Sequence, residues 1–422
     1  MARDLLSLID DLIHSIFNYA VLDDLDNGAF MSLKLSHISQ RYRSLLLANP
    51  KFWTIIRHGP ELRSMDYVDA CLERSNGLPL SIVVSVVAPE HDPLIIETHI
   101  FMTRIRERAA DRCKSIRVYY LPRPSQNSYL RPSSSDTYRW CGMGVFPELQ
   151  ILDIRFPSIP TLFVVGTGIW TQRFKQIPSP FPKLQNLSLR GFAPYCINGY
   201  NDLATLNITS SDVGLTRLPQ FLESCHALQN LHLTLHMSRS ARTQLLPRTF
   251  PLASLRDFRF TLLVDGSLEA ENRLKHIFSL LVFPNLPTLD IRIEFLDEES
   301  WRNQWVEPVD YVSCSVPEVL DFGEYLREII REDKFPSVET LRISLAARFT
   351  TISTYQSAKF SVPVQFLPAL RSLSLQSDML LSPDVDQGGN EGRRGGDLRV
   401  NLDARLLIEK LWLERINGTL DS

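Results

Sequence analysis

The chain of 422 residues carries 45 Lys and Arg against 48 Asp and Glu, a formal charge of −3. That balance excludes the one-signed surface needed for general phosphate-backbone binding, and 44% apolar with 22% charged residues excludes disordered and fibrous classes. No apolar run reaches the ~18 residues of a membrane-spanning helix, and Asp4, Asp10 and Asp11 interrupt any signal-peptide core, so an intracellular protein is expected, with neither nucleic acid nor membrane among its partners.

Residues 5 to 20 place Leu5, Leu8, Ile9, Leu12, Ile13, Ile16, Phe17 and Ala20 at helical spacing, which predicts a helix with a wide apolar stripe. Asp23 to Gly28 supply turn chemistry. Met31, Leu35, Ile38, Tyr42 and Leu45 then predict a second helix, ended at Asn49-Pro50 because proline disfavours helical geometry in the residue before it. Phe52 and Trp53 follow directly. A unit of some fifty residues buries too little surface to be secure alone, yet it holds many large apolar groups. Some of them must therefore cover the rest of the chain or a partner.

Leu8-Ile9-Asp10-Asp11-Leu12-Ile13 with Ile16-Phe17 resembles the opening of the F-box, LPxEILxxIF. Leu35 to Leu45 is similar to its second half, VSxVCRxWRxL, and Asn49-Pro50-Lys51-Phe52-Trp53 to its closing P-x-LW. Ile9 stands where the family has proline, Asp11 for glutamate, Ser39 for cysteine and Tyr42 for tryptophan. The resemblance implies an all-α F-box-like domain over 1–58 that docks the Skp adaptor of a cullin scaffold. The docking residues it implies are Leu8, Leu12, Ile13, Ile16, Phe17, Ile38, Tyr42 and Trp53.

Leu62, Met65, Val68, Cys71 and Leu72 predict a helix over 62–75, stopped by Asn76-Gly77, within a linker spanning 59–80. The run Leu72 to Ile82 resembles the LxRSxxxPLxL segment that follows the F-box in proteins expanded in mushroom-forming fungi.

Beyond residue 81 a repeat dominates. Phe-Pro occurs six times, at 146, 156, 181, 250, 283 and 335, where 22 Phe and 26 Pro placed at random would give about 1.4. Five of the six precede the pattern L-x-x-L-x-L: Leu149/Leu152/Ile154, Leu184/Leu187/Leu189, Leu255/Phe258/Phe260, Leu286/Leu289/Ile291 and Val338/Leu341/Ile343. Further copies stand at Cys113/Ile116/Val118, Leu228/Leu231/Leu233 and Leu370/Leu373/Leu375. The last two positions share one face of a strand, and the first tucks in around a bend. This is the core of a leucine-rich repeat. The copies start 36, 35, 44, 27, 31, 52 and 32 residues apart, enough for parallel crossovers.

Helices are expected over 218–225, 274–281 and 319–330, the last entered by a capping box at Ser315-Val316-Pro317-Glu318. Long loops are expected near 120–140, 155–180, 190–210 and 294–315, and a mobile tract at 386–397. The fold class is thus α/β: an N-terminal helical unit, then an irregular leucine-rich-repeat-like solenoid of parallel strands over 81–422.

Chemistry is scarce. The six cysteines, at 71, 113, 141, 196, 225 and 314, include no CxxC pair, so no zinc ribbon or redox motif is indicated and the thiols are expected reduced. His232 and His236 lie four apart on a strand, where ~13 Å separates them, too far to share a metal. The Gly-rich stretches lack the GK[ST] of a phosphate loop, and no GxSxG occurs. Asp297-Glu298-Glu299 reads as a solvated loop, and Trp301 and Trp305 as loop anchors or a recognition patch. No catalytic residue, cofactor or metal site is expected. The expectation is a non-catalytic substrate-recognition adaptor of a Skp–cullin–F-box ubiquitin ligase, whose solenoid binds a target protein; the alternative is an interaction scaffold in which the F-box is a structural cap.

Overall fold

The computed structural model describes residues 9–23, 28–87, 93–121, 146–155, 181–190, 200–211, 218–237, 249–264, 274, 278, 280–296, 320–348, 358–360, 362–377, 381–383 and 399–402. The chain forms two compact units, one of 1–157, 168–188 and 198–200, the other of 158–167, 189–197 and 201–422.

The first unit opens with helix α1, Asp10–Phe17, which continues as a π-helical turn over Asn18–Asp23. No side chain caps its start; Asp10 and Asp11 instead place negative charge in the first turn, where the helix dipole favours it. The single helix expected from Met31 to Leu45 is two helices, α2 (Gly28–Ser36) and α3 (Gln40–Ala48). Ser39 causes the break: its extended backbone and its Oγ, accepting the Tyr42 N–H at 3.1 Å, make it an N-cap. Asn49-Pro50 ends α3 as expected, and a 3-10 turn, Pro50–Trp53, follows. Gly28 adopts φ +44°, and a Cβ there would lie 2.5 Å from Ile55 Cγ2. Only glycine allows this close approach.

Strand β1 (Ile55–His58) comes directly after Trp53 and pairs in parallel with β2 (Leu80–Val87), so the expected domain 1–58 already contributes to the sheet. Within the expected linker lies helix α4, Met65–Arg74, capped by Ser64 and left through Asn76 and Gly77 at positive φ. Helix α5 (Pro93–Ala109) crosses from β2 to β3 (Cys113–Leu121), which pairs in parallel with β4 (Ile151–Arg155). Strand β5 (Asn186–Arg190) closes this series.

The second unit holds β6 (Thr205–Ser211), β7 (Asn230–Met237), β9 (Asp257–Val264), β11 (Thr288–Leu296), β13 (Thr340–Arg348), β15 (Ser372–Ser377) and β17 (Arg399–Leu402), side by side in chain order and all parallel. Short parallel ladders lie apart from them: β8 (Phe250–Pro251) with β10 (Leu281–Val282), and β12 (Leu320–Asp321), β14 (Ala358–Phe360) and β16 (Leu381–Pro383). Strand β6 falls where a loop over 190–210 was expected. Helix α6 (Leu218–Glu223) occupies the expected 218–225 segment, whereas α7 (Phe322–Ile329) starts later than residue 319 because Leu320 and Asp321 are paired as strand. The capping box at 315–318, the loops near 120–140 and 155–180 and the tract 386–397 lie almost wholly outside the described residues.

Among the described residues, the Phe-Pro dipeptides at 146, 181 and 335 open turns. The first apolar residue of a repeat donates its N–H to the carbonyl three residues earlier: Leu149 to Phe146 and Leu184 to Phe181, each 3.2 Å, and Val338 to Phe335 at 3.5 Å. Proline at the second turn position is pre-set for this geometry. At Phe250-Pro251 the turn begins two residues on, where Leu255 donates to Leu252 at 3.3 Å. Several strand starts are fastened to the preceding repeat by one carbonyl that accepts two successive N–H groups. Gln150 serves Gln185 and Asn186, Gln229 serves Arg256 and Asp257, Pro287 serves Glu339 and Thr340, and Glu339 serves Arg371 and Ser372.

The phenylalanines also form part of the core. Phe283 stacks between Phe258, at 4.7 Å, and Phe335, at 4.9 Å, and Phe278 meets Phe260 edge-on at 4.9 Å. All five are buried. Phe283→Ala should therefore cost about 3–5 kcal/mol of stability, and Phe283→Leu less than about 1.5 kcal/mol. Urea unfolding followed by circular dichroism measures both, and equal costs would deny the stack its part in the core.

Candidate functional site

Helix α1 presents two adjoining apolar stripes that face opposite environments. Ile13 and Phe17, continued by Val21 of the π-helical turn, are buried at 2% exposure or less. Ile9, Leu12, Ile16 and Tyr19 follow at steps of three and four along the neighbouring stripe, and are 69%, 46%, 43% and 75% exposed.

Aromatic packing decides which stripe is inside. Phe17 meets Tyr42 of α3 edge-on at 5.2 Å and Phe52 at 6.1 Å, while His14 stacks on Phe52 at 6.0 Å. Trp53 is buried as well, its Nε1 donating to the Leu46 carbonyl at 2.9 Å and its ring lying under the Arg74 guanidinium at 4.4 Å. The Ser32 hydroxyl donates to the Phe52 carbonyl at 2.8 Å, which ties α2 to the same knot. On the outside, Arg41 donates to Asp10 Oδ1 from Nη2 at 2.5 Å and from Nε at 2.9 Å, joining the first turns of α1 and α3. Ile38, 62% exposed, sits just before that turn of α3, and Leu47, 45% exposed, near its end.

The eight residues implied as docking contacts thus separate. Leu12, Ile16 and Ile38 face outward; Ile13, Phe17, Tyr42 and Trp53 are the inner lock; Leu8 lies outside the described residues. Ile9 and Tyr19 were not among the eight. Ile9 occupies the family's proline position and so read as a departure from the pattern, and Tyr19 stands past the point where the motif ends.

Reactive chemistry does not gather here or elsewhere among the described residues. Burial pushes the thiols of Cys71, Cys113 and Cys225 up to about 12, so they stay protonated and unreactive at neutral pH. Glu148 is drawn down to about 2 by hydrogen bonds from Lys114 at 2.8 Å and Lys183 at 2.5 Å, a clamp across the starts of three successive strands. His226 is exposed in the turn before β7, and His232, on the strand, has Nε2 3.6 Å from Asp257 Oδ2. No group of three described His, Cys, Asp or Glu residues is arranged to hold a metal. No described helix is long and apolar enough to cross a membrane.

Compared with protein-family models and with curated proteins, the chain matches none.

The two stripes should respond differently to substitution. Phe17→Ala should destabilise the first unit by about 3–5 kcal/mol, whereas Ile16→Ala, on the exposed stripe, should stay within about 0.5 kcal/mol. Thermal unfolding of both variants checks the assignment; a large loss with Ile16→Ala would place that side chain in the core.

Proposed function

We propose that this chain is a non-catalytic substrate-recognition adaptor of a Skp–cullin–F-box type ubiquitin ligase, acting in the cytoplasm or nucleus. The observation that carries the reading is the outward stripe Ile9, Leu12, Ile16 and Tyr19, with Ile38 nearby. These side chains stay in water although α1 has a packed face of its own. Contiguous apolar exposure of this kind marks a surface that another protein covers. The F-box-like residues supply the partner: the Skp adaptor, and through it a cullin.

The repeat region is the target-binding part of the proposal. Its irregular leucine-rich-repeat-like solenoid is supported by parallel strands in chain order, by one turn type at the start of successive strands and by the short second ladders. A strand–crossover unit cannot hide its own apolar face, so successive units stack on one another. The ligase chemistry then belongs to the partners, and this chain positions the target.

A second reading has its own support. Strand β1 continues from Trp53 into the sheet, and Gly28 seats against Ile55, so the helices also serve as a cap on the first strand of an interaction scaffold.

Affinity recovery from cells, followed by mass spectrometry, separates the two. Wild-type chain should bring down the Skp adaptor and a cullin, and the double variant Leu12→Asp/Ile16→Asp should lose them at least tenfold while keeping its melting temperature, because carboxylates buried at the interface would be unpaired. Unchanged recovery, or no adaptor with the wild type, favours the cap. Asp at Ile13 or Phe17 is the wrong probe, since those side chains are core.

A further inference from the structure

We propose that His58 is an acid-sensitive latch that fastens the sheet-edge strand β1 to helix α5, so that its protonation opens this end of the first unit. The geometry is unusual for a histidine. His58 is the last residue of β1, fully buried, and its ring lies parallel to Phe101 of α5 at 4.6 Å with an 8° tilt. Neither Nδ1 nor Nε2 has a side-chain partner, and the nearest backbone group acting on the ring is that of Leu62. A neutral imidazole can be tolerated as an aromatic slab in that slot; an imidazolium there would be a buried charge with at least one donor unmet.

No neighbouring side chain offers the cation relief; the Leu62 backbone alone favours the charged ring. Arg63, from the turn after β1, is itself positive and opposes protonation. Glu97, one turn before Phe101 on α5, is engaged with Arg63 at 3.7 Å. On α4, Tyr67 and Cys71 are held protonated by burial, the phenol well above its ordinary value and the thiol at about 12, so neither supplies an anion. Thr98 on α5 is buried with its hydroxyl unpaired. Burial is the main force holding His58 at about 4 from 6.5, the Leu62 backbone pulling back and Arg63 adding to the depression.

The sign follows. A histidine depressed in the folded state contributes stability that is whole above pH 6.5 and is lost as pH falls towards 4. Opening is local because β1 is at the end of the strand order, with β2 as its single partner among the described strands. Gly59, the next residue, approaches Ser85 of β2 so closely that a Cβ would lie 3.0 Å from Ser85 Cβ, so displacement of His58 also loosens that contact.

Hydrogen exchange of the full chain, corrected for intrinsic rates and read by mass spectrometry, tests the latch. Going from pH 7 to pH 5, opening of peptides covering 55–62 and 97–109 should rise about 20-fold, while peptides covering 257–264 and 288–296 should not follow. His58→Phe, which keeps the stack and cannot titrate, should abolish the rise. Should that variant fail to fold, imidazole NMR of the wild type decides: the His58 ring must remain neutral at pH 5. The proposal is overturned by an equal rise in His58→Phe, by no rise in the wild type, by an equal rise throughout the second unit, or by a His58 ring that titrates near 6.5.

Discussion

The constraint on which the repeat region depends is the register imposed where one strand starts beside the last. In a parallel sheet each strand must begin level with its neighbour after a crossover of variable length, and a slip of one residue would send every core side chain to the wrong face. Here the start is fixed twice over. A single turn sets where the chain enters the strand, and a carbonyl of the preceding repeat, as at Gln150, Gln229 or Glu339, holds two successive N–H groups of the next. Crossovers can then differ widely in length without disturbing the sheet. The apolar residues follow: Leu289 lies opposite both Phe258 and Leu341, and Ile291 opposite both Phe260 and Ile343.

That constraint explains what could be read from the residues and what could not. Turn, bend and strand together need L-x-x-L-x-L, so eight copies stood out, and the strands start at or just after the first position of each. The copy at Leu203/Leu206/Ile208 has the same spacing and leads into β6, but Tyr200 stands where Phe-Pro was the landmark. Without that landmark, two short intervals read as one and a strand reads as a loop. Strands β1 and β17 were harder. Each has four residues, too few for any period to register, and β1 is wedged between Trp53 and α4. The break at His37-Ile38-Ser39 failed for another reason: the apolar spacing suits one helix or two equally, and only the capping hydroxyl of Ser39 distinguishes them.

In the helical unit the residue types were legible and their directions were not. Leu12 and Ile13 are adjacent, as are Ile16 and Phe17, and a stripe this wide cannot all face one neighbour. Which half turns inward depends on the rings available across the interface. Phe17 reaches Tyr42 and Phe52, contacts whose partners lie 25 and 35 residues further along the chain. No local pattern contains that information.

This division of labour also bears on whether capping and docking exclude each other. A helix used only as a cap has no reason to keep a second apolar stripe in water, where each exposed branched side chain forgoes about 1.5–3 kcal/mol of burial. A helix used only for docking, on the other hand, needs a rigid base, or binding must also order it. Ile13, Phe17, Tyr42, Phe52 and Trp53 provide that base, and β1 leads from it straight into the sheet. The inner stripe therefore performs the capping whether or not a partner is present, and by doing so it holds Ile9, Leu12 and Ile16 in one fixed row. If the proposed docking holds, the two roles sit on adjoining faces of the same two turns of helix. Loss of one outward side chain need not loosen the cap, and under the proposed docking the outer stripe is free to vary in sequence as long as the aromatic lock beneath it does not.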